Sequence, residues 1–199
     1  MINCKKATLE YYNENAENYV NDTLNADMQE MYDWFLKYLS EGASILDLGC
    51  GTGRDSKFFL SKGFKVTAVD GSQTLCDFAS EYIGQDVRCM LFEELDYENE
   101  FNGIWACASI LHVPEAELPK IFNRMKNALR ENGYIYISFK YGKGECVRKD
   151  RSFTDLTEES LNTLIAQIDN LEVVETKLTG DVREGRSSEQ WLNAILKKK

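Results

Sequence analysis

Ser44-Ile45-Leu46-Asp47-Leu48-Gly49-Cys50-Gly51-Thr52-Gly53-Arg54 is a short apolar run that ends in an acid and breaks into three glycines at alternate positions. The run predicts a strand over 43–48, and Lys57, Phe58, Phe59 and Leu60 belong to a helical pattern, so the glycines form the loop where strand hands over to helix. Glycine there lets the backbone take positive φ and lie against a ligand. A dinucleotide fingerprint needs a third glycine three positions after the second, and Arg54 stands there instead. Asp47 lies two residues ahead of the first glycine, and Asp70 closes the next apolar run, Phe64-Lys65-Val66-Thr67-Ala68-Val69-Asp70. An acid at the end of the second strand accepts hydrogen bonds from both hydroxyls of a ribose. The spacing suits an adenosine ligand that carries no pyrophosphate.

Asp47-Leu48-Gly49-Cys50-Gly51-Thr52-Gly53 followed by Asp70 resembles motifs I and II of the class I S-adenosylmethionine-dependent methyltransferases, in particular the small tellurite-resistance-like and methyltransferase-domain proteins. The resemblance implies S-adenosylmethionine as cofactor. Asp47 and the Gly49, Cys50, Gly51 and Gly53 loop are expected at its amino-acid end, Asp70 at the ribose, and Gly71 and Ser72 near the adenosine. Ser72 equally suits a helix N-cap. The family often ends its third strand in an acid that binds adenine; Leu91 holds that position, leaving the Phe92 backbone and the Glu93 side chain as expected contacts. Ala106 and Cys107, which the resemblance places beside the sulfonium, are small enough to admit cofactor and acceptor together. The aromatic N-terminal segment, with Tyr11 and Tyr19, resembles the piece that caps the cofactor in many small members; plain packing is the alternative.

At 199 residues and 43% hydrophobic, the chain suffices for one well-buried core. Six cysteines without a Cys-x-x-Cys pair, and one histidine, assemble no metal site by spacing and point to a reduced, cytoplasmic setting. No apolar run approaches the roughly 18 residues that cross a membrane. A net charge of −10 opposes attraction to a polyanion, which argues against nucleic acid as partner. Oligomeric state is not encoded in any pattern of the chain.

Two amphipathic helices are expected over 8–39; Tyr12, Ala16, Tyr19 and Val20 share a face of the first. Residues 1–40 therefore read as an N-terminal helical cap, and 41–199 as a Rossmann-like domain forming one unit with it. From Gly42 the pattern alternates: strands at 43–48, 64–69, 86–91, 103–108 and 134–140, with helices between them. Such alternation predicts an α/β fold, a mostly parallel sheet with helices on both faces. A further helix from Thr157 and two strands, 171–179 and 190–197, complete a seven-stranded sheet. The loop between those last strands makes one of them antiparallel. Ligands of such sheets bind at the carboxyl ends of the strands.

Methyl transfer from a sulfonium needs alignment and a dry site more than a protein nucleophile. His112 is the only histidine and the one side chain titrating near neutrality, so it stands as candidate general base, with fixing of its own loop as the competing role. Lys140, Lys143, Arg148, Lys149 and Arg151 surround Tyr141, while Arg183 and Arg186 lie in the last loop. Of these, Tyr141, Arg183 and Arg186 are expected at the acceptor, and Lys143, Arg148 and Lys149 on a solvated loop. A basic rim on an acidic chain suits a small acceptor bearing carboxylate or phosphate. A cofactor-binding regulatory module without catalysis, and a nicotinamide-dependent oxidoreductase on a similar fold, are the rival readings.

Overall fold

A computed structural model describes residues 4–199 apart from Glu184 and Ser187. The chain opens with α1 (Cys4–Glu14), α2 (Ala16–Thr23) and α3 (Gln29–Leu36), three helices where the periodicity suggested two. It then alternates through β1 (Ser44–Leu48), α4 (Arg54–Ser61), β2 (Lys65–Asp70), α5 (Gln73–Ile83), β3 (Arg88–Cys89), β4 (Phe101–Ala106), α6 (Leu118–Ala128) and β5 (Leu129–Lys140). A hairpin of β6 (Gly144–Arg148) and β7 (Arg151–Asp155) follows, then α7 (Glu158–Ile165), β8 (Leu171–Gly180) and β9 (Gln190–Lys198).

Seven strands form one sheet in the order β3-β2-β1-β4-β5-β9-β8. All neighbours up to β5 are parallel; β9 runs antiparallel to both β5 and β8. The one reversed strand is thus the last in the chain, inserted between β5 and the edge strand β8. Strand order reverses between β1 and β4, which opens a crevice at their carboxyl ends where ligands of such sheets lie.

Both faces of the sheet are covered, as its apolar strands require. On one, Ile104, Ile135 and Ile137 pack with Phe122 and Met125 of α6 and Leu161 and Ile165 of α7. On the other, Ile45, Trp105 and Tyr136 pack against Met31, Tyr32 and Phe35 of α3. Of the segment expected as a cap, α3 is therefore a layer of the sheet, and only α1 and α2 remain over the crevice. The basic stretch after β5, expected to be solvated loop, is the β6–β7 hairpin, which turns at Lys149 and Asp150 with φ of 49° and 63°. Among the described residues no helix is long and apolar enough to cross a membrane.

Candidate functional site

The glycine loop is built by β1 and anchored by β2. Gly49 and Cys50 both donate their amides to the Val69 carbonyl, at 2.8 and 3.0 Å. Gly49, Gly51 and Gly53 all have positive φ. At the end of β2, the Asp70 carboxylate accepts the Gly51 amide at 2.8 Å and the Ser72 amide at 2.9 Å. One acid thus joins the glycine loop to the turn that starts α5. Ser72 caps α5, accepting from the Leu75 amide, and donates to Asn13 of α1 at 2.6 Å.

Two cavities flank this loop. The smaller, about 120 Å³, is lined by Gly49, Gly51, Asp70, Gly71, Phe92 and Glu93 under Leu9 and Tyr12 of α1. The larger, about 610 Å³, extends past Cys50, Arg54 and Cys107 to Tyr136, Arg151, Arg183 and Trp191. Tyr12, Tyr19, Gly49, Ala108 and His112 line both, so the cavities meet at those five residues. Ala108 carries φ of +50°, an uncommon conformation for a residue with a Cβ, and its amide is held by Ser138 Oγ at 2.7 Å.

The smaller cavity is bounded by the glycine loop, Asp70 and the Phe92 turn. Its floor is cleared by the absent side chain of Gly49: a Cβ there would lie 2.4 Å from Ser109 Cβ. Ser109 Oγ is buried without a partner among the described residues, leaving one polar group for a ligand to satisfy. Gly49→Ala adds that clash to a φ of +77°. Overpacking costs about 1–3 kcal/mol and a left-handed Cβ about 1–2 kcal/mol. A thermal melt of this variant should fall by roughly 4–20 °C, and a melt matching the parent would contradict the crowding.

A buried polar cluster braces the loop from below. Asp55, first in α4 after Arg54, accepts from Arg54 Nε at 2.6 Å, Trp105 Nε1 at 2.8 Å and the Tyr32 hydroxyl. Burial opposes its charge, but the Arg54 guanidinium outweighs it and lowers the pKa. Asp47 is the reverse case. Burial, then the charge of Asp55, raises its pKa, and its carboxylate accepts from the Ser56 hydroxyl at 2.6 Å. Asp47 and Gly53 line neither cavity, so they act on a ligand through the loop they support.

His112 is neutral and its tautomer is fixed by its partners. Burial is the chief cause that pushes its pKa down to about 4, with the nearby Arg151 charge adding to it. Nδ1 lies 2.6 Å from the Ser152 carbonyl, which can only accept, so the ring proton sits on Nδ1. Nε2 is then the acceptor for the Tyr12 hydroxyl at 2.9 Å, and Tyr12 Oη in turn accepts from Arg151 Nη1 at 3.1 Å. The ordered chain runs Arg151 to Tyr12 to His112 to Ser152.

Several expected positions shift. Tyr11 lines neither cavity; the ring that α1 turns inward is Tyr12, one residue on. Tyr19 packs over Gly51, within 3.0 Å of where a Cβ would be. Ala106 is sealed in the sheet, and Cys107 is the first residue after β4 to reach the cavity. Glu93 lines the smaller cavity but its carboxylate is held by Lys5 of α1. Tyr141 is exposed beside Glu158 and lines neither cavity. Arg183 is neutralised by Asp181, two residues before it, through Nε at 2.8 Å, and Arg186 pairs with Asp22 of α2 at 3.1 Å. Arg151, which the sequence places among the cations around Tyr141, lines the larger cavity, as do Arg148 and Lys149, expected on a solvated loop. Among the described residues no cluster of three His, Cys, Asp or Glu side chains is arranged to hold a metal ion.

Comparison with known proteins bears on this arrangement. A family model described as a methyltransferase domain matches residues 45–133, which contain the glycine loop, Asp70 and the turn with His112. An uncharacterized methyltransferase of Staphylococcus carnosus is 27% identical over 164 residues, 75% of this chain and 79% of the relative. The putative methyltransferase YqeM of Bacillus subtilis is 27% identical over 150 residues, 68% of this chain and 58% of the relative. Among solved structures, a Burkholderia thailandensis 1,6-didemethyltoxoflavin-N1-methyltransferase superposes with a TM-score of 0.77 at 23% identity, covering 98% of this chain and 86% of that one. A glycine loop tied to the acid that ends β2, at the switch point of a β3-β2-β1-β4-β5-β9-β8 sheet and within the stretch that the methyltransferase-domain model matches, makes the chain similar to the class I S-adenosylmethionine-dependent methyltransferases.

Proposed function

We propose that the chain transfers a methyl group from S-adenosylmethionine to a small acceptor bearing an anionic group, bound in the larger cavity. The observation that carries this reading is the meeting of the two cavities at Tyr12, Tyr19, Gly49, Ala108 and His112. A volume of about 610 Å³ suits a small molecule. The Burkholderia enzyme, whose structure holds 1,6-didemethyltoxoflavin and S-adenosylhomocysteine, supports an acceptor of that size.

Bound in the smaller cavity, the cofactor supplies an activated methyl sulfonium. Asp70 would hold the ribose hydroxyls with the lone pairs that Gly51 and Ser72 leave free. The Gly49 to Gly53 backbone would hold the amino-acid end, with Asp47 behind it favouring the ammonium charge. Helix α1 excludes water, closed by Asn13 on Ser72 and by Lys5 between Glu93 and Glu117. Fixing two reactants in line can remove about 7–11 kcal/mol of a barrier. His112 keeps its accepting nitrogen on Tyr12, so it orients the Tyr12 hydroxyl toward the junction and is not free to take a proton directly.

The test is S-adenosylhomocysteine release by the full chain over panels of small acids, phenols and amines, and over RNA and peptides, with a thermal-shift comparison of S-adenosylmethionine and NAD. Turnover with a small acid and stabilisation by S-adenosylmethionine alone are expected. Turnover only on RNA or a peptide would overturn the acceptor class. Cofactor binding with no turnover on any panel would favour the regulatory-module reading, and stabilisation by NAD the oxidoreductase one.

A further inference from the structure

Cations crowd the wall of the larger cavity, but most are already matched. Arg54 is held by Asp55, Lys140 by Asp181 and Glu189, Arg148 by Asp155, Arg183 by Asp181 and Arg186 by Asp22. Arg151 differs. It opens β7, lines the cavity, and has no carboxylate partner among the described residues. Among the described residues its Nε is buried with no hydrogen-bond partner, and of its other donors only Nη1 has one, the Tyr12 hydroxyl. The guanidinium lies 4.4 Å from the centre of the Tyr11 ring and 5.3 Å from that of Phe153.

A half-buried guanidinium held between rings is pre-organised for a planar oxyanion, and with no counter-charge among the described residues it keeps donors that an anion can satisfy. The Nη1–Nη2 end, whose Nη2 has no partner among the described residues, is the edge left for a carboxylate, which a guanidinium can grip with two parallel hydrogen bonds. Tyr12, which Arg151 touches, belongs to both cavities, so an anion on this edge lies close to the junction.

We propose that Arg151 is the specificity-determining residue of the larger cavity, receiving a carboxylate placed a few bonds from the acceptor's methylated atom. The inference rests on the larger cavity being the acceptor's site. It departs from the sequence pattern, which pointed to Arg183 and Arg186, because both of those already have their anions within the fold.

The experiment measures binding of matched acid and amide pairs (benzoate and benzamide, 2-hydroxybenzoate and 2-hydroxybenzamide, nicotinate and nicotinamide) and of inorganic phosphate to the full chain saturated with S-adenosylhomocysteine. In the parent protein at least one acid should bind about tenfold or more tighter than its amide. Arg151→Gln should erase that preference, and Arg151→Lys, which keeps the charge but not the fork, should restore part of it. Affinity for S-adenosylhomocysteine should stay within about threefold in both variants, which also reports that they fold. Equal binding of acids and amides, no binding of any acid, stronger binding of phosphate than of every acid, or a preference that survives Arg151→Gln would overturn the proposal. A parallel loss of S-adenosylhomocysteine affinity would assign the guanidinium to the cofactor's own carboxylate and overturn it too. Failure of the parent protein to bind S-adenosylhomocysteine at all would bring down the functional reading on which it rests, whereas intact cofactor binding without discrimination brings down the proposal alone.

Discussion

Asp70→Ala is expected to weaken S-adenosylhomocysteine binding at least about 100-fold, read by calorimetric titration. The carboxylate does two jobs with different lone pairs. It accepts the Gly51 and Ser72 amides, which sets the shape of the glycine loop and the start of α5. The pairs left over face the smaller cavity, where they would accept a ribose's two hydroxyls. Hydrogen bonds to a charged group are worth about 1.5–3 kcal/mol each, so two of them account for roughly 3 kcal/mol or more. Alanine also strips the Gly51 amide of its acceptor, so the loop loses its tether as the ligand loses its anchor. Asp70→Asn separates the two effects: one oxygen still accepts an amide, while the NH₂ group faces the other donor, so the loss should be intermediate. An alanine variant that binds within about threefold of the parent would refute the assignment of Asp70 to the ribose.

The ligand loop was legible because its chemistry is local. A strand that stops at an acid, a backbone that needs positive φ, and a second acid one strand later are all written within Ser44 to Asp70. The sheet was legible for a similar reason: apolar runs punctuated by Gly63, Gly84 and Gly133 can be counted. The acceptor side depends on who meets whom across the chain. Arg183 reads as a free cation until Asp181, its near neighbour, is found folded back onto it, and Arg186 until Asp22 reaches it from 164 residues away. The β6–β7 hairpin was hidden because Lys143 to Arg151 carries too many charges to alternate, although Lys149-Asp150 at its tip is polar enough to turn. The Tyr11 and Tyr12 exchange is a matter of helical phase. One residue is about 100° of rotation, and adjacent tyrosines offer no way to choose until Thr8, one turn before Tyr12, is seen to face Ser152.

Asp47 is expected to trade stability for binding, and the trade has a pH signature. Burial, reinforced by the charge of Asp55, pushes the Asp47 carboxyl up to about 8 in the folded chain, against an ordinary value near 3.8. Between those values the folded state holds a proton that the unfolded state has lost, so stability falls as pH rises, by up to about 1.4 kcal/mol per unit. The lowered pKa of Asp55 acts only below the ordinary carboxylate range, outside this window. Asp47→Asn has no charge to lose and can still accept from Ser56, so its stability should lack most of that slope. Denaturant unfolding of the cofactor-free proteins at pH 5 and pH 8 is the measurement: the variant's lead in stability should be larger by a few kcal/mol at the higher pH than at the lower one. The burial of Asp55, Ser56 and Thr52 around the same loop keeps the comparison local. The ligand's ammonium favours the ionised acid, so S-adenosylhomocysteine should bind the asparagine variant more weakly while releasing no proton from position 47. Parallel pH curves for parent and variant would show that Asp47 is not strained by its burial. Equal cofactor affinity would show that its charge does not reach the ligand.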